Sequence, residues 1–238
     1  QCMVNQTVVD TTNPVITVCA STPANISANG SCQGIAPDLT GSVTATDNCT
    51  GSPTITQSPA AGATLGLGTT TITLTATDGS GNTAQCMVNQ TVVDNTAPIV
   101  TCSSGTQNVS DDGTGDCTFT PVAVGQGGSY DINDNCSGTL TVQEVFTGAL
   151  TATATWSLAA GGGPYTPVQA FPVGITTVTV TVTDASGNSS SCMYTTTILD
   201  DEVPVVTCPA DLTIECDADS TPANTGTATA TDNCDASP

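Results

Sequence analysis

Two stretches of the chain alternate apolar and polar residues with a period of two. "TTTITLTATDGSGN" (69–82) places Ile72, Leu74 and Ala76 on one face and Thr71, Thr73, Thr75 and Thr77 on the other. "TTVTVTVTDASGN" (176–188) does the same with Val178, Val180 and Val182. This is the spacing of a strand with one buried face. Both stretches end in Asp-x-Ser-Gly-Asn, where Gly81 and Gly187 can take positive φ and return the chain as a hairpin. The returning strands carry Cys86 and Val88, or Cys192, Tyr194 and Ile198. No segment shows helical periodicity. Short strands punctuated by Gly and Pro, about seven to a repeat, predict an all-β fold of small sandwiches.

The chain is also similar to itself. "QCMVNQTVVD" stands at 1–10 and returns unchanged at 85–94. The openings "TTNPVITVCA", "NTAPIVTC" and "DEVPVVTCPA" recur, as does Asp-Asn-Cys in "ATDNCTGSP" (45–53), "INDNC" (132–136) and "ATDNCDASP" (230–238). The expected organisation is a closing strand of a preceding repeat at 1–10, repeats at 11–94 and 95–200, and the first half of a further repeat at 201–238. The second repeat carries an insertion at about 138–170. On this reading the chain is a window cut from a tandem array.

Composition narrows the chemistry. The 238 residues include 21 Asp and Glu and no Lys, Arg or His, a net charge of -21. No internal salt bridge can form. Nucleic acid and anionic membrane surfaces, which are held by basic residues, are excluded as partners. Triads, Schiff bases and arginine clamps need absent residue types. Hydrolysis by a carboxylate pair is chemically open, but no feature marks an acid and a base in one cleft, so no enzyme is expected. Uncompensated carboxylates favour a hard cation such as calcium. The 12 Cys, without a zinc-type CxxC pair, read as disulfides and place the chain outside the cytosol, at the cell surface or beyond it. No stretch approaches the roughly 18 apolar residues of a membrane span. Repeat one has no Phe, Tyr or Trp, so its core is thin and needs the disulfides.

Pro-Val-Ile-Thr-x-Cys, then Thr-Asp-Asn-Cys, then the Thr-rich strand with Asp-Gly-Ser-Gly-Asn, and Cys-x-Val before a terminal Val-Val-Asp together resemble the hyalin-repeat (HYR) family. The resemblance covers both full repeats, the half repeat and the leading strand. It implies disulfide-stapled immunoglobulin-like β-sandwich modules of extracellular proteins, in tandem and associated with adhesion, with no catalytic residue. Repeat two departs from the pattern, because Cys136 and Cys192 are further apart than Cys49 and Cys86.

Immunoglobulin-like strand order, as the resemblance implies it, leads to sequential pairing: Cys19 with Cys32, Cys49 with Cys86, Cys102 with Cys117, Cys136 with Cys192, and Cys208 with Cys216. Cys2 and Cys234 are then left over, and sequence alone does not fix connectivity. The same order gathers acidic groups at module junctions: Asp10, Asp47, Asp78 and Asn82; Asp94, Asp134, Asp184 and Asn188; and Asp200, Asp201, Glu202 and Asp232. Calcium takes six to eight oxygens and is the candidate ion, while Asp and Asn also serve turns by bonding their own backbone. Asn-x-Ser/Thr sequons stand at Asn5, Asn25, Asn29, Asn48, Asn89, Asn108, Asn135 and Asn188. All seven aromatic residues lie in repeat two, and its insertion holds Trp156 and Tyr165. These two are either a ligand or subunit contact or the small core of an extra hairpin. The expected protein is a glycosylated structural one, a stalk or fibre whose partners are copies of itself. The alternative is an adhesin whose repeat two binds a glycan or protein on a cell surface.

Overall fold

The computed structural model describes residues 2–49, 51–108, 116–123, 126–136, 138–159, 162–218 and 220–235. The chain divides into two compact units, residues 1–96 with 135–137, and residues 97–134 with 138–238. Both are built almost wholly of strands.

In the first unit β1 (Val15–Val18) pairs with β4 (Thr44–Thr46), and β2 (Ile26–Ser27), β3 (Gln33–Ile35), β5 (Thr54–Ser58), β6 (Thr64–Gly66), β7 (Gly68–Thr77) and β8 (Thr83–Val93) form the rest. The main sheet has the order β2-β8-β7-β5, antiparallel except for β2 alongside β8, and β3 pairs with β6. Ile72, Leu74 and Ala76 point inward and are fully buried, as their alternation predicts. Ile72 and Leu74 meet Val88 of β8, Leu39 and Ala20 in a core without a single ring. Gly81 turns the hairpin at a φ of 90°.

The second unit repeats this plan with larger parts. Its strands are β9 (Ile99–Ser103), β10 (Gly105–Asn108), β11 (Thr118–Phe119), β12 (Ser129–Asn133), β13 (Thr139–Gly148), β14 (Ala152–Ala159), β15 (Gly162–Tyr165), β16 (Phe171–Pro172), β17 (Gly174–Thr183) and β18 (Ser189–Leu199). The main sheet runs β10-β18-β17-β13-β14, and a second sheet runs β15-β12-β9. Within 138–170, β13 and β14 form a hairpin inside the main sheet, so that β14 lengthens that sheet at its edge, while β15 lengthens the other. Val178, Val180 and Val182 are fully buried against Phe119, Phe146 and Phe171. Residues beyond 200 add only a short ladder of β19 (Val205–Thr207) and β20 (Thr229–Thr231) and a single helical turn, α1 (Pro222–Thr225). Val203, Val205, Val206 and Leu212 stay exposed there, and among the described residues no second sheet is laid against that ladder.

The repeated decapeptide takes two conformations. At 85–94 it lies in β8, with Val88 and Val92 buried on β7. At 2–10 the same residues form no strand, and Val4 is 89% exposed. A strand is stabilised by its cross-strand neighbours, so identical side chains become a strand only where a partner ladder exists.

The cysteine pairing corrects the sequential one. Cys19 is bonded to Cys86 (Cα–Cα 6.2 Å) and Cys102 to Cys192 (5.8 Å), first with fourth in each repeat. The reason is that β1 packs on β8, and β9 on β18, so the first Cys faces the returning hairpin strand rather than the second Cys. The second Cys of a repeat bonds instead to the Asp-Asn-Cys sulfur of the next: Cys32 with Cys136 (Cα–Cα 5.0 Å) and Cys117 with Cys234 (5.1 Å). Cys49, expected on Cys86, is exposed and outside any disulfide, as are Cys2, Cys208 and Cys216. Residues 208–215 form no strand that would bring the expected Cys208–Cys216 pair together.

Candidate functional site

Two clusters of chemistry stand out, one acidic and one aromatic. In the first unit, carboxylate oxygens of Asp10, Asp47 and Asp78 lie within 4.8 Å of one another. Each is held by its own loop, because Asp closes tight turns on nearby N–H groups. Asp10 Oδ1 accepts from Thr12 N–H (3.0 Å) and Asp47 Oδ2 from Cys49 N–H (2.8 Å). Buried Asp78 accepts from Ser80 N–H (2.9 Å), Asn82 N–H (2.8 Å) and the Asn82 amide (2.8 Å), and that amide also reaches the Asp10 carbonyl at 3.3 Å. Asp10 Oδ2 is buried without a hydrogen-bond partner among the described residues. Three carboxylates meet here with no cation anywhere in the chain to offset them.

Asp200 and Asp232 form a similar group with Cys234, whose sulfur is already in a disulfide and is no thiolate ligand. Asp232 accepts from the N–H groups of Cys234 and Asp235, while Asp201 and Glu202 lie on the linker, where Glu202 N–H donates to Asp200. Asp94, in the first unit, accepts from Thr96 N–H. Asp134 and Asp184 belong to the second unit, where Asp184 holds Ser186 and Asn188 as Asp78 holds its own hairpin.

Burial works to raise the Asp78 carboxyl, and the hydrogen bonds from Asn82, Ser80 and Gly81 outweigh it, leaving it below the usual carboxylate value. Backbone bonds from Asp235 and Cys234 lower Asp232 in the same direction. A carboxylate lowered in the folded state stabilises it above the unfolded value, near ~3.9, and ceases to as pH falls through the lowered value. Thermal melts are therefore expected to be flat from about pH 7 to 5 and to lose Tm below about pH 4. Asp78→Asn should flatten that acid limb, and an unchanged limb would contradict the assignment.

The aromatic cluster lies in the second unit, between the strands that the insertion adds. Tyr130 on β12 stands opposite Tyr165 on β15, and Glu144 on β13 opposite Ala154 on β14, two residues from Trp156. The rings of Trp156 and Tyr165 meet edge to face at 5.3 Å and 61°, and those of Tyr130 and Tyr165 at 5.9 Å and 35°. They border a cavity of about 380 Å³ with the Glu144 carboxylate in its wall. Trp156 and Tyr165 are half-buried, pack against the main core and border the cavity.

Glu144 was not singled out by sequence. It occupies an inward position in the row Leu140, Val142, Glu144, Phe146 and is only 4% exposed. The signal was present, a carboxylate in the apolar phase of "TLTVQEVFTG". Tyr130 hydroxyl donates to Glu144 Oε1 at 2.7 Å. Burial pushes the Glu144 carboxyl up, and hydrogen bonds from Tyr130 and Trp156 partly offset this. Burial, with Glu144 beside it, also pushes the Tyr130 phenol far up.

Of the sequon residues, Asn5, Asn25, Asn29, Asn48 and Asn89 are exposed and Asn135 is half-buried. Asn188 is half-buried with its amide donating to Asp184. The Asn108 side chain lies outside the described residues, as do Thr50 and Ser137, the third residues of the Asn48 and Asn135 sequons.

Disulfide-stapled β-sandwich repeats define a class of extracellular and cell-surface proteins, since such bonds persist only outside the reducing cytosol. Within that class the chain belongs to the HYR domain family, which matches residues 9–92 and 136–198, more than half of its length. It is 32% identical over 165 residues to hyalin of Strongylocentrotus purpuratus, which covers 66% of this chain and 12% of hyalin's own length. Among solved structures it is similar to the protocadherin gamma-B4 extracellular domain (20% identity, 83% of this chain and 33% of that one, TM-score 0.36). It is also similar to a protocadherin gamma-B7 EC3-6 cis-dimer (16% identity, 82% and 50%, TM-score 0.33). The family and the sandwich repeats together make this an adhesion-related repeat protein of the cell exterior. No helix among the described residues is long and apolar enough to cross a membrane.

Proposed function

We propose that the chain is part of a structural stalk or fibril, a tandem HYR array that projects from or connects cells and acts without catalysis. The observation that carries this reading is the sulfur pairing, in which Cys32–Cys136 and Cys117–Cys234 each join one repeat to the Asp-Asn-Cys motif of the next along the chain. A repeat array joined in this way is bonded through side chains as well as through its backbone. Expected repeats are 11–94, 95–200 and one beginning at 201, with copies of the chain as lateral partners and sugars on exposed sequons. Electron microscopy of the purified full chain should show extended rods or filaments, and compact unassociated particles would overturn the reading.

Calcium is the proposed cofactor, held by Asp10, Asp47 and Asp78 with Asn82 and backbone oxygens. Extracellular calcium modules bind at about 10⁻⁴–10⁻³ M, so millimolar calcium should raise the Tm and Asp47→Asn should remove that rise. Equal melts in calcium and chelator would exclude it. A second reading, in which repeat two recognises a ligand, is favoured by the cavity beside Trp156 and Tyr165.

A further inference from the structure

The cavity of the second unit combines two features that the fold itself does not require. The first is its charge. The equivalent position in repeat one, opposite Leu74 as Glu144 is opposite Val180, holds Gln57. Gln57 is neutral and bonded to backbone on every side: its amide donates to the carbonyls of Pro37 and Pro59, and its oxygen accepts from Leu39 N–H. A sandwich of this family therefore closes without a carboxylate here. Repeat two buries one, held by the Tyr130 hydroxyl, and burial disfavours its charged form unless a cation is brought beside it. With no Lys, Arg or His among its residues, the chain has no side chain that can neutralise it.

The second is the arrangement of the rings. A sugar stacks on one broad exposed ring face. Here the planes of Trp156 and Tyr165 meet at 61° and those of Tyr130 and Tyr165 at 35°, so the three rings are adjoining, mutually tilted surfaces rather than one platform. Aromatic faces carry negative potential and attract cations, most strongly when several rings enclose the same point beside a carboxylate. Two of the walls, Trp156 and Tyr165, arrive on the strands present only in repeat two.

We propose that the cavity walled by Tyr130, Trp156 and Tyr165 over the Glu144 carboxylate is a receptor for an organic ammonium ion. The cation is supplied by another molecule, as a free amine or quaternary ammonium compound or as a lysine side chain of a second protein. This inference rests on the reading of repeat two as a ligand-binding module, and gives that module its ligand class.

Trp156 is the sole Trp of the chain, so its fluorescence reports on this cavity alone. The full chain is titrated with tetramethylammonium chloride, with Nα-acetyl-lysine methylamide, with uncharged 3,3-dimethylbutan-1-ol and with N-acetylglucosamine. The expected result is saturable change with at least one of the two cations, at roughly tenfold lower concentration than with the uncharged alcohol. Preference for tetramethylammonium identifies a quaternary small molecule as the source, and preference for the lysine amide identifies a protein side chain. Glu144→Gln keeps an acceptor for Tyr130 and should weaken cation binding by about tenfold or more. The wild-type comparison of cation with alcohol decides the matter even if that variant fails to fold. Equal binding of alcohol and cations, or binding of N-acetylglucosamine without either cation, overturns the ammonium assignment and leaves the binding module standing. No response to any of the four overturns both.

Discussion

Replacing Cys19 and Cys86 together by alanine is expected to lower the stability of the first repeat by roughly 2–5 kcal/mol, read as a shift in the urea midpoint under non-reducing conditions. The bond closes a loop between residues 67 apart in sequence, and the core behind it is Ala, Leu, Ile and Val without a ring. Little else compensates, and loss of cooperative unfolding altogether is within that range. Cys49→Ala is the control. Its thiol is exposed and in no disulfide, accepting only a weak bond from the Asn48 amide, so the change should stay within about 0.5 kcal/mol. If Cys49→Ala costs as much as Cys86→Ala, the first-with-fourth pairing is wrong and the pairing of Cys49 with Cys86 returns. Non-reducing peptide mapping gives the same answer chemically, with Cys19 and Cys86 in one bridged fragment.

Phe146→Ala is expected to cost the second repeat about 3–5 kcal/mol. The side chain is fully buried in the inward row of β13, and its ring lies 5.9 Å from that of Phe171. Truncation leaves a hole between two sheets that are pinned at Cys102–Cys192 and cannot collapse freely onto it. Met193→Ala, on the outward face of β18 and 67% exposed, should change stability by less than about 0.5 kcal/mol. Chemical denaturation of both variants checks the contrast. Similar losses at the two positions would mean that the faces of β13 and β18 have been assigned the wrong way round.

Those faces are legible in the sequence itself. The hairpins β7–β8 and β17–β18 followed from alternation plus an Asp-x-Ser-Gly-Asn turn, because strand period and turn chemistry are local properties. Gly187 sits at a φ of 90°, as Gly81 does. The grouping of Asp10, Asp47 and Asp78 came from the strand order that the resemblance to the HYR family implies, with each residue on a turn motif of its own.

What escaped the sequence was long-range. Cysteine partners depend on which strands pack face to face, and Cys19 reaches Cys86 only because β1 lies on β8. The insertion looked like a hairpin because its two strands are adjacent in sequence, yet β14 and β15 join different sheets. Glu144 was hidden by its type: pattern reading places carboxylates outside, and only the phase of its neighbours points this one inward. The decapeptide makes the limit plainest, since its sequence is the same at 2–10 and 86–94 and only the second copy is a strand.

The loops closed by Cys32–Cys136 and Cys117–Cys234 overlap, because Cys117 precedes Cys136 in the chain. Under tension the shortest covalent route from Cys32 to Cys234 crosses one bridge, runs back through the short stretch between Cys136 and Cys117, and crosses the other. Most of the folded strands lie off that route. Strands β7, β17 and β18 thus lie outside the shortest covalent path between the two outer sulfurs, while β8 stays tied to it through β2 and through Cys19–Cys86.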